Sequence, residues 1–130
     1  MYVIDASALG EVFVGSDDRA ERLRWRVART RLAAPHLIDI EMLSLLRGQA
    51  KGKKITAEAA EGAVALLPQF PLTRYDHVGL ASRIWELRHN AGSYDATYLA
   101  LAEHLSVPLL TADKKMTGVS GATCRIELVT

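Results

Sequence analysis

Short apolar runs alternate along the chain with longer segments in which apolar residues recur at helical spacing, the pattern of buried strands separated by helices. Tyr2-Val3-Ile4 is such a run, closed by Asp5, and predicts a strand buried on both faces. Ser7 is placed to cap a helix through Val14, and Ser16-Asp17-Asp18 to cap a second, arginine-rich helix with Leu23, Val27 and Leu32 on its apolar side. Leu32 to Pro35 reads as a strand, and Leu37 to Gln49 as a helix closed by Gly48 and Gly52. Thr56 caps a further helix that must stop before Pro68, because the residue preceding a proline is pushed out of the helical region. Phe70 to Leu72 is a strand candidate, followed by a long helix from Asp76 to His89 with Leu80, Ile84 and Leu87 on one face and Asn90-Ala91-Gly92 as its stop. Asp95 opens a helix to His104. Pro108 to Thr111 reads as a strand with proline where a missing N–H is tolerated, and Ile126 to Val129 as the last strand. Strands this short, separated by helices, predict a three-layer α/β/α sandwich around a mostly parallel sheet.

Length and composition narrow the picture. The 130 residues fit a single domain over positions 1–130, and 49% hydrophobic residues suffice for a packed core. The one cysteine, Cys124, excludes an intramolecular disulfide, and four dispersed histidines give zinc little support. The amino terminus lacks a basic segment ahead of an apolar one, and Gly62 to Thr73, the least charged stretch, is broken by prolines. Neither a signal peptide nor a membrane span is expected, and the expected location is cytoplasmic.

The net charge of +1 hides an asymmetry. Arg19 to Lys54 holds ten basic and three acidic residues, while the remainder is net acidic. Two readings fit this stretch: solvated helix faces with long side chains, or a positive surface for a polyanion carried by Arg19, Arg22, Arg26, Arg47, Lys51, Lys53 and Lys54.

Four carboxylates sit where the pattern does not ask for them. Asp5 and Asp113 follow strands, where sites form in open parallel sheets, although an aspartate there also serves as a turn or helix cap. Glu41 shares a helix face with Leu37, Ser44, Leu45 and Gly48, an apolar or small-residue setting in which an unpaired charge is costly unless the chain snorkels to water. Asp39 points elsewhere and reads as solvated. Asp95 precedes an apolar stripe of Tyr98, Leu99 and Ala102, and an acid in a first helical turn is also favoured by the helix dipole. If the four converge, carboxylates about 4 Å apart repel by about 4 kcal/mol per pair at an effective dielectric near 20, and such a cluster needs protons or a cation. Oxygen-only donors point to Mg²⁺ or Mn²⁺.

The segments Val3 to Leu9, Glu41 to Arg47, Tyr94 to Ala102 and Pro108 to Asp113 together resemble the motifs of PIN-domain ribonucleases, and their order and length resemble the VapC toxins of type II toxin–antitoxin systems. The resemblance spans nearly the whole chain. It implies that Asp5, Glu41, Asp95 and Asp113 hold a divalent metal for RNA hydrolysis, with Ser7, Ser44 and Thr111 supporting them. Many relatives carry Asn where this chain has Ser44, and some carry an extra acid where it has Lys114 and Lys115. The expectation is a Mg²⁺- or Mn²⁺-dependent endoribonuclease with an RNA substrate, a cognate antitoxin and a homodimer built on the helices at Thr56–Leu67 and Asp76–His89. A non-catalytic PIN-like RNA-binding or interaction domain is the alternative. A receiver-like phosphotransfer module is a poorer fit, since residues 41–66 read as two helices.

Overall fold

A computed structural model describes residues 1–130, and its centre is a five-stranded sheet in the order β3-β2-β1-β4-β5. The strands are β1 (Tyr2–Ile4), β2 (Leu32–Pro35), β3 (Thr73–Tyr75), β4 (Leu109–Thr111) and β5 (Ile126–Leu128). All four pairings are parallel, with Val3 opposite Ala33 on one side and Leu109 on the other. The expected parallel sheet is therefore present throughout. Parallel strands need crossovers, which the helices supply: α1 (Ala6–Val14), α2 (Asp18–Val27), α3 (Leu37–Lys51), α4 (Ala57–Leu66), α5 (Ala81–Glu86) and α6 (Ser93–Leu105). Helices α1 to α4 pack among themselves, while α5 packs on α6 and α6 lies over β1 and β2. Because crossovers are right-handed, the two groups cover opposite faces, giving the three-layer sandwich.

One cluster of 26 buried residues fills the interior, with Val3, Ile4, Leu109 and Leu110 of the central strands fully buried. Gly10 lets α1 approach α3: a β-carbon there would stand 2.9 Å from Leu45 Cδ1. That close approach sets the helix carrying Glu41 against the one carrying Ser7. No helix is long and apolar enough to cross a membrane.

Five local expectations need correction. The cap of α1 is Asp5, whose Oδ1 accepts from Ala8 N, and Ser7 lies inside the first turn. The third strand is Thr73–Tyr75, not Phe70–Leu72: Phe70 closes the 3₁₀ turn Leu67–Gln69 and meets the Phe13 ring edge-on, while Pro71 has no N–H for a ladder. The long helix over Asp76–His89 is broken. Asp76 Oδ1 accepts from Val78 N in a tight turn, Val78–Leu80 is 3₁₀, and only Ala81–Glu86 is α-helical. Asp39, expected in solvent, is gripped by Arg74 Nε and Nη2 at 2.7 and 2.8 Å, which ties α3 to β3. The last helix begins at Ser93 rather than Asp95, with Gly92 at its N-cap.

Candidate metal centre and nucleic-acid surface

The strand order reverses direction between β1 and β4, the switch point at which open parallel sheets form their crevice. Asp5 follows β1 and Asp113 follows β4 by two residues, so the sheet itself brings these two carboxylates to the crevice. Glu41 on α3 and Asp95 in the first turn of α6 lie near enough for the charge of Asp95 to act on Asp5 and for those of Asp95 and Asp5 to act on Glu41.

Asp5 is the most fixed of the four. It is buried, and its carboxylate takes three protein donors: Ser7 Oγ at 2.6 Å and Ala8 N at 3.0 Å on Oδ1, and Thr111 Oγ1 on Oδ2. The two hydroxyls are in turn oriented by backbone N–H groups, Ala112 N on Ser7 Oγ at 2.9 Å and Asp113 N on Thr111 Oγ1 at 3.0 Å. A hydroxyl has one proton to give. With both spent on Asp5, the 3.2 Å contact between Ser7 and Thr111 is an approach of two acceptors, and the hydrogen bonds suit an ionised Asp5. Burial pushes the Asp5 pKa up, the three donors pull it back, and the charge of Asp95 adds to the rise.

Glu41 is half-buried on α3, and its Oε1 accepts from Tyr98 Oη at 2.6 Å. Burial raises its pKa, the Tyr98 bond opposes that, and the charges of Asp95 and Asp5 reinforce it. The Tyr98 phenol is itself pushed far up by burial and by the carboxylate it serves. Asp95 stands exposed at the rim, where desolvation and then the charge of Asp113 raise its pKa while Lys115 lowers it. Asp113 caps the 3₁₀ turn Lys114–Gly118 through Lys115 N at 3.0 Å. For Asp5 and Asp113, then, the cap reading holds. Ser44 is exposed one turn beyond Glu41 and makes no hydrogen bond to the acids.

The salt bridges of the chain engage Glu11, Asp39, Glu86, Glu103 and Glu127, and none engages Asp5, Glu41, Asp95 or Asp113. Asp5, Glu41 and Asp95 each feel the charge of another acid of the set, and none of the four has a cationic side chain bound to it. No three of them stand together as a ready-made cation cage. The donors are hard oxygens without histidine or thiolate, a set whose chemistry suits Mg²⁺ or Mn²⁺.

The basic stretch divides. Arg19 is paired with Glu11 at 3.0 Å, Arg26 with Glu127 at 2.6 Å while donating to Tyr2 Oη, and Arg22 donates to the Thr130 carbonyl. Arg47, Lys51, Lys53 and Lys54 are exposed and free of ion pairs. Lys54 lines a cleft of 240 Å³ with Ser7, Glu11 and Gln49, so this free lysine adjoins the side of the crevice that Ser7 supports.

The PIN domain family model matches residues 2–122. The chain belongs to the PIN domain family. Ribonuclease VapC9 of Mycobacterium tuberculosis (strain ATCC 25618 / H37Rv) is 40% identical over 129 residues, 99% of this chain and 98% of that protein. Ribonuclease VapC1 of the same strain is 39% identical over 128 residues, 98% of this chain and 96% of that protein. Among solved structures, M. tuberculosis VapC20, described as a sarcin-ricin loop cleaving toxin, superimposes with a TM-score of 0.68 at 19% identity, covering 96% of this chain and 99% of that one. DNA-bound VapBC from Salmonella typhimurium gives 0.69 at 17% identity, covering 99% and 98%. At those identities the structures speak for the fold alone.

Sequence reasoning named the four acids of this PIN domain but missed Tyr98, which it placed in an apolar stripe. A signal was present: a tyrosine in a buried stripe must find a partner for its hydroxyl, and Glu41 was the unpaired acid.

Proposed function

We propose that the chain is a divalent-cation-dependent endoribonuclease, the toxin of a toxin–antitoxin pair. The observation that carries the reading is four carboxylates without ion-pair partners at the switch point of the sheet, on a full-length likeness to proteins named VapC ribonucleases. Asp5, Glu41, Asp95 and Asp113 would hold Mg²⁺ or Mn²⁺, which when bound lowers the pKa of water and stabilises charge building on the transferring phosphate. Ser7 and Thr111 fix the Asp5 carboxylate and favour its ionised form. Asp95 and Asp113, at the rim, are open to the substrate side, and either can take the proton of an attacking water. Arg47, Lys51, Lys53 and Lys54 hold the RNA backbone beside them, which gives affinity without sequence choice.

Intact acids favour this over a non-catalytic PIN-like domain, since one lost carboxylate would suffice to silence the site. The decisive experiment is cleavage of single-stranded RNA by purified protein with Mg²⁺ or Mn²⁺ and with chelator. Cleavage only with cation, absent in Asp95→Asn of unchanged fold, is expected; equal cleavage by both proteins removes the assignment.

A cationic side chain of an antitoxin segment would neutralise the acid crevice, an idea in keeping with solved neighbours that are toxin–antitoxin complexes. A homodimer through the α5 face is part of the same reading. Val78, Trp85 and Tyr94 are exposed there, and Trp85 and Tyr94 border a groove of 370 Å³. Light scattering at micromolar concentration, expected to give a dimer that Trp85→Glu splits, tests it. A cytoplasmic location follows from an RNA substrate.

A further inference from the structure

We propose that Tyr98 is the positioning residue for Glu41, an inference that rests on the metal-site reading above. Glutamate has three side-chain torsions, and at a half-buried position it can reach water instead of the crevice. Something must hold it in. Asp5 has three protein donors, and Asp113 is held by the N–H of Lys115 in its own turn. Glu41 has one bond, from Tyr98 Oη at 2.6 Å.

Tyr98 is suited to that task because it cannot move. It is 1% exposed, one of the largest fully buried side chains, and its ring is locked in the core cluster with its hydroxyl as the only polar atom. A buried phenol needs a partner, and a carboxylate makes the stronger one, through a charge-assisted bond. The bond engages Oε1 only, so Oε2 is left without a protein donor and is the oxygen free to take a cation. Tyr98 also stands three residues after Asp95 on α6, so one helix supplies a rim carboxylate and the clamp for the acid on α3. Tyr98 touches neither substrate nor cation. It acts through Glu41.

The test is Mn²⁺ binding at neutral pH, read from the electron paramagnetic resonance of free Mn²⁺, in wild type, Tyr98→Phe, Glu41→Met and the double variant. Phenylalanine keeps the ring and methionine the length, so core volume is conserved. Loss of an outer partner of a ligand typically costs 10–100-fold in metal affinity, and Tyr98→Phe should weaken Mn²⁺ by about 10-fold or more. In the Glu41→Met background the same change should have no further effect. Wild-type affinity in folded Tyr98→Phe, or an equal loss in both backgrounds, overturns the proposal. A parallel cycle of urea stability in chelator reads the pair without metal: non-additive effects support the clamp and additive ones refute it. Should wild type bind no Mn²⁺, the metal reading fails, and the chelator cycle still decides whether Tyr98 holds Glu41.

Discussion

Replacing Thr111 by valine should unsettle the crevice at its most buried point. The substitution keeps shape and deletes one oxygen, which is not a neutral exchange. Thr111 is fully buried; its hydroxyl donates to Asp5 Oδ2 and accepts from Asp113 N at 3.0 Å. Losing a hydrogen bond to a charged group costs about 1.5–3 kcal/mol, and an N–H left unpaired about 1–3 kcal/mol. Asp113 is only half-buried, so water can satisfy its N–H in part and the lower end of the second figure applies. The sum is a destabilisation of about 2.5–4 kcal/mol. Thr111→Ser restores the oxygen and removes a methyl group, at a cost of about 1 kcal/mol. Urea unfolding at pH 7 in chelator, with unchanged slope, measures both. A valine variant within about 0.5 kcal/mol of wild type, or a serine variant worse than it, would refute the claim that the hydroxyl organises Asp5.

The pH dependence of the metal-free protein follows from three raised pKa values. Asp5, Glu41 and Asp95 bind protons more tightly folded than unfolded, so stability is lowest above their folded values and rises as pH falls through them towards the ordinary carboxylate range near 4. The lowered Glu103 and Glu127 act in the opposite sense, but below that range. Urea midpoints in chelator should therefore climb as pH falls from neutral towards the ordinary carboxylate range, and less so in Asp95→Asn; equal slopes would show that the acids do not share a field. Replacing Lys51, Lys53 and Lys54 together by alanine should shrink the salt slope of single-stranded RNA binding by about 2, at about 0.7 per phosphate contact. An unchanged slope would move the backbone contact elsewhere.

How much of this was legible in the sequence varies from element to element. Tyr2-Val3-Ile4 and Leu109-Leu110-Thr111 were readable because a strand buried on both faces leaves an uninterrupted apolar run. The segment from Phe70 to His89 was misread because its apolar residues do bury, Leu80 and Leu87 among them, while the backbone beneath them is set by Pro71 and by the Asp76 turn. Periodicity records burial, and burial does not distinguish an α-helix from 3₁₀ turns that present the same residues. Asp39 and Arg74 lie 35 residues apart, and nothing local announces their pairing. The acids were legible for the converse reason. A charge in an apolar pattern is a local anomaly that needs no partner to be noticed, whereas the partner of Glu41 was hidden in the core as an ordinary aromatic.

The four acids also divide by how the fold restrains them, and that division bears on how the crevice works. Asp5 is held by groups that the strands β1 and β4 cannot move without breaking the sheet: the cap of α1, the Ser7 and Thr111 hydroxyls, and the N–H groups of Ala112 and Asp113 behind them. Glu41 is held by one phenol, and Asp95 stands at the rim without a protein donor. A cluster in which every acid were as rigid as Asp5 would hold its repulsion permanently, at a cost in stability whenever no cation was present. One fixed carboxylate with progressively looser neighbours avoids that cost. On the proposed metal-site reading, the fixed acid would define where a cation goes and the less restrained rim acids would adjust to it. Lys115, placed to lower the pKa of Asp95, eases the same repulsion from the outer side.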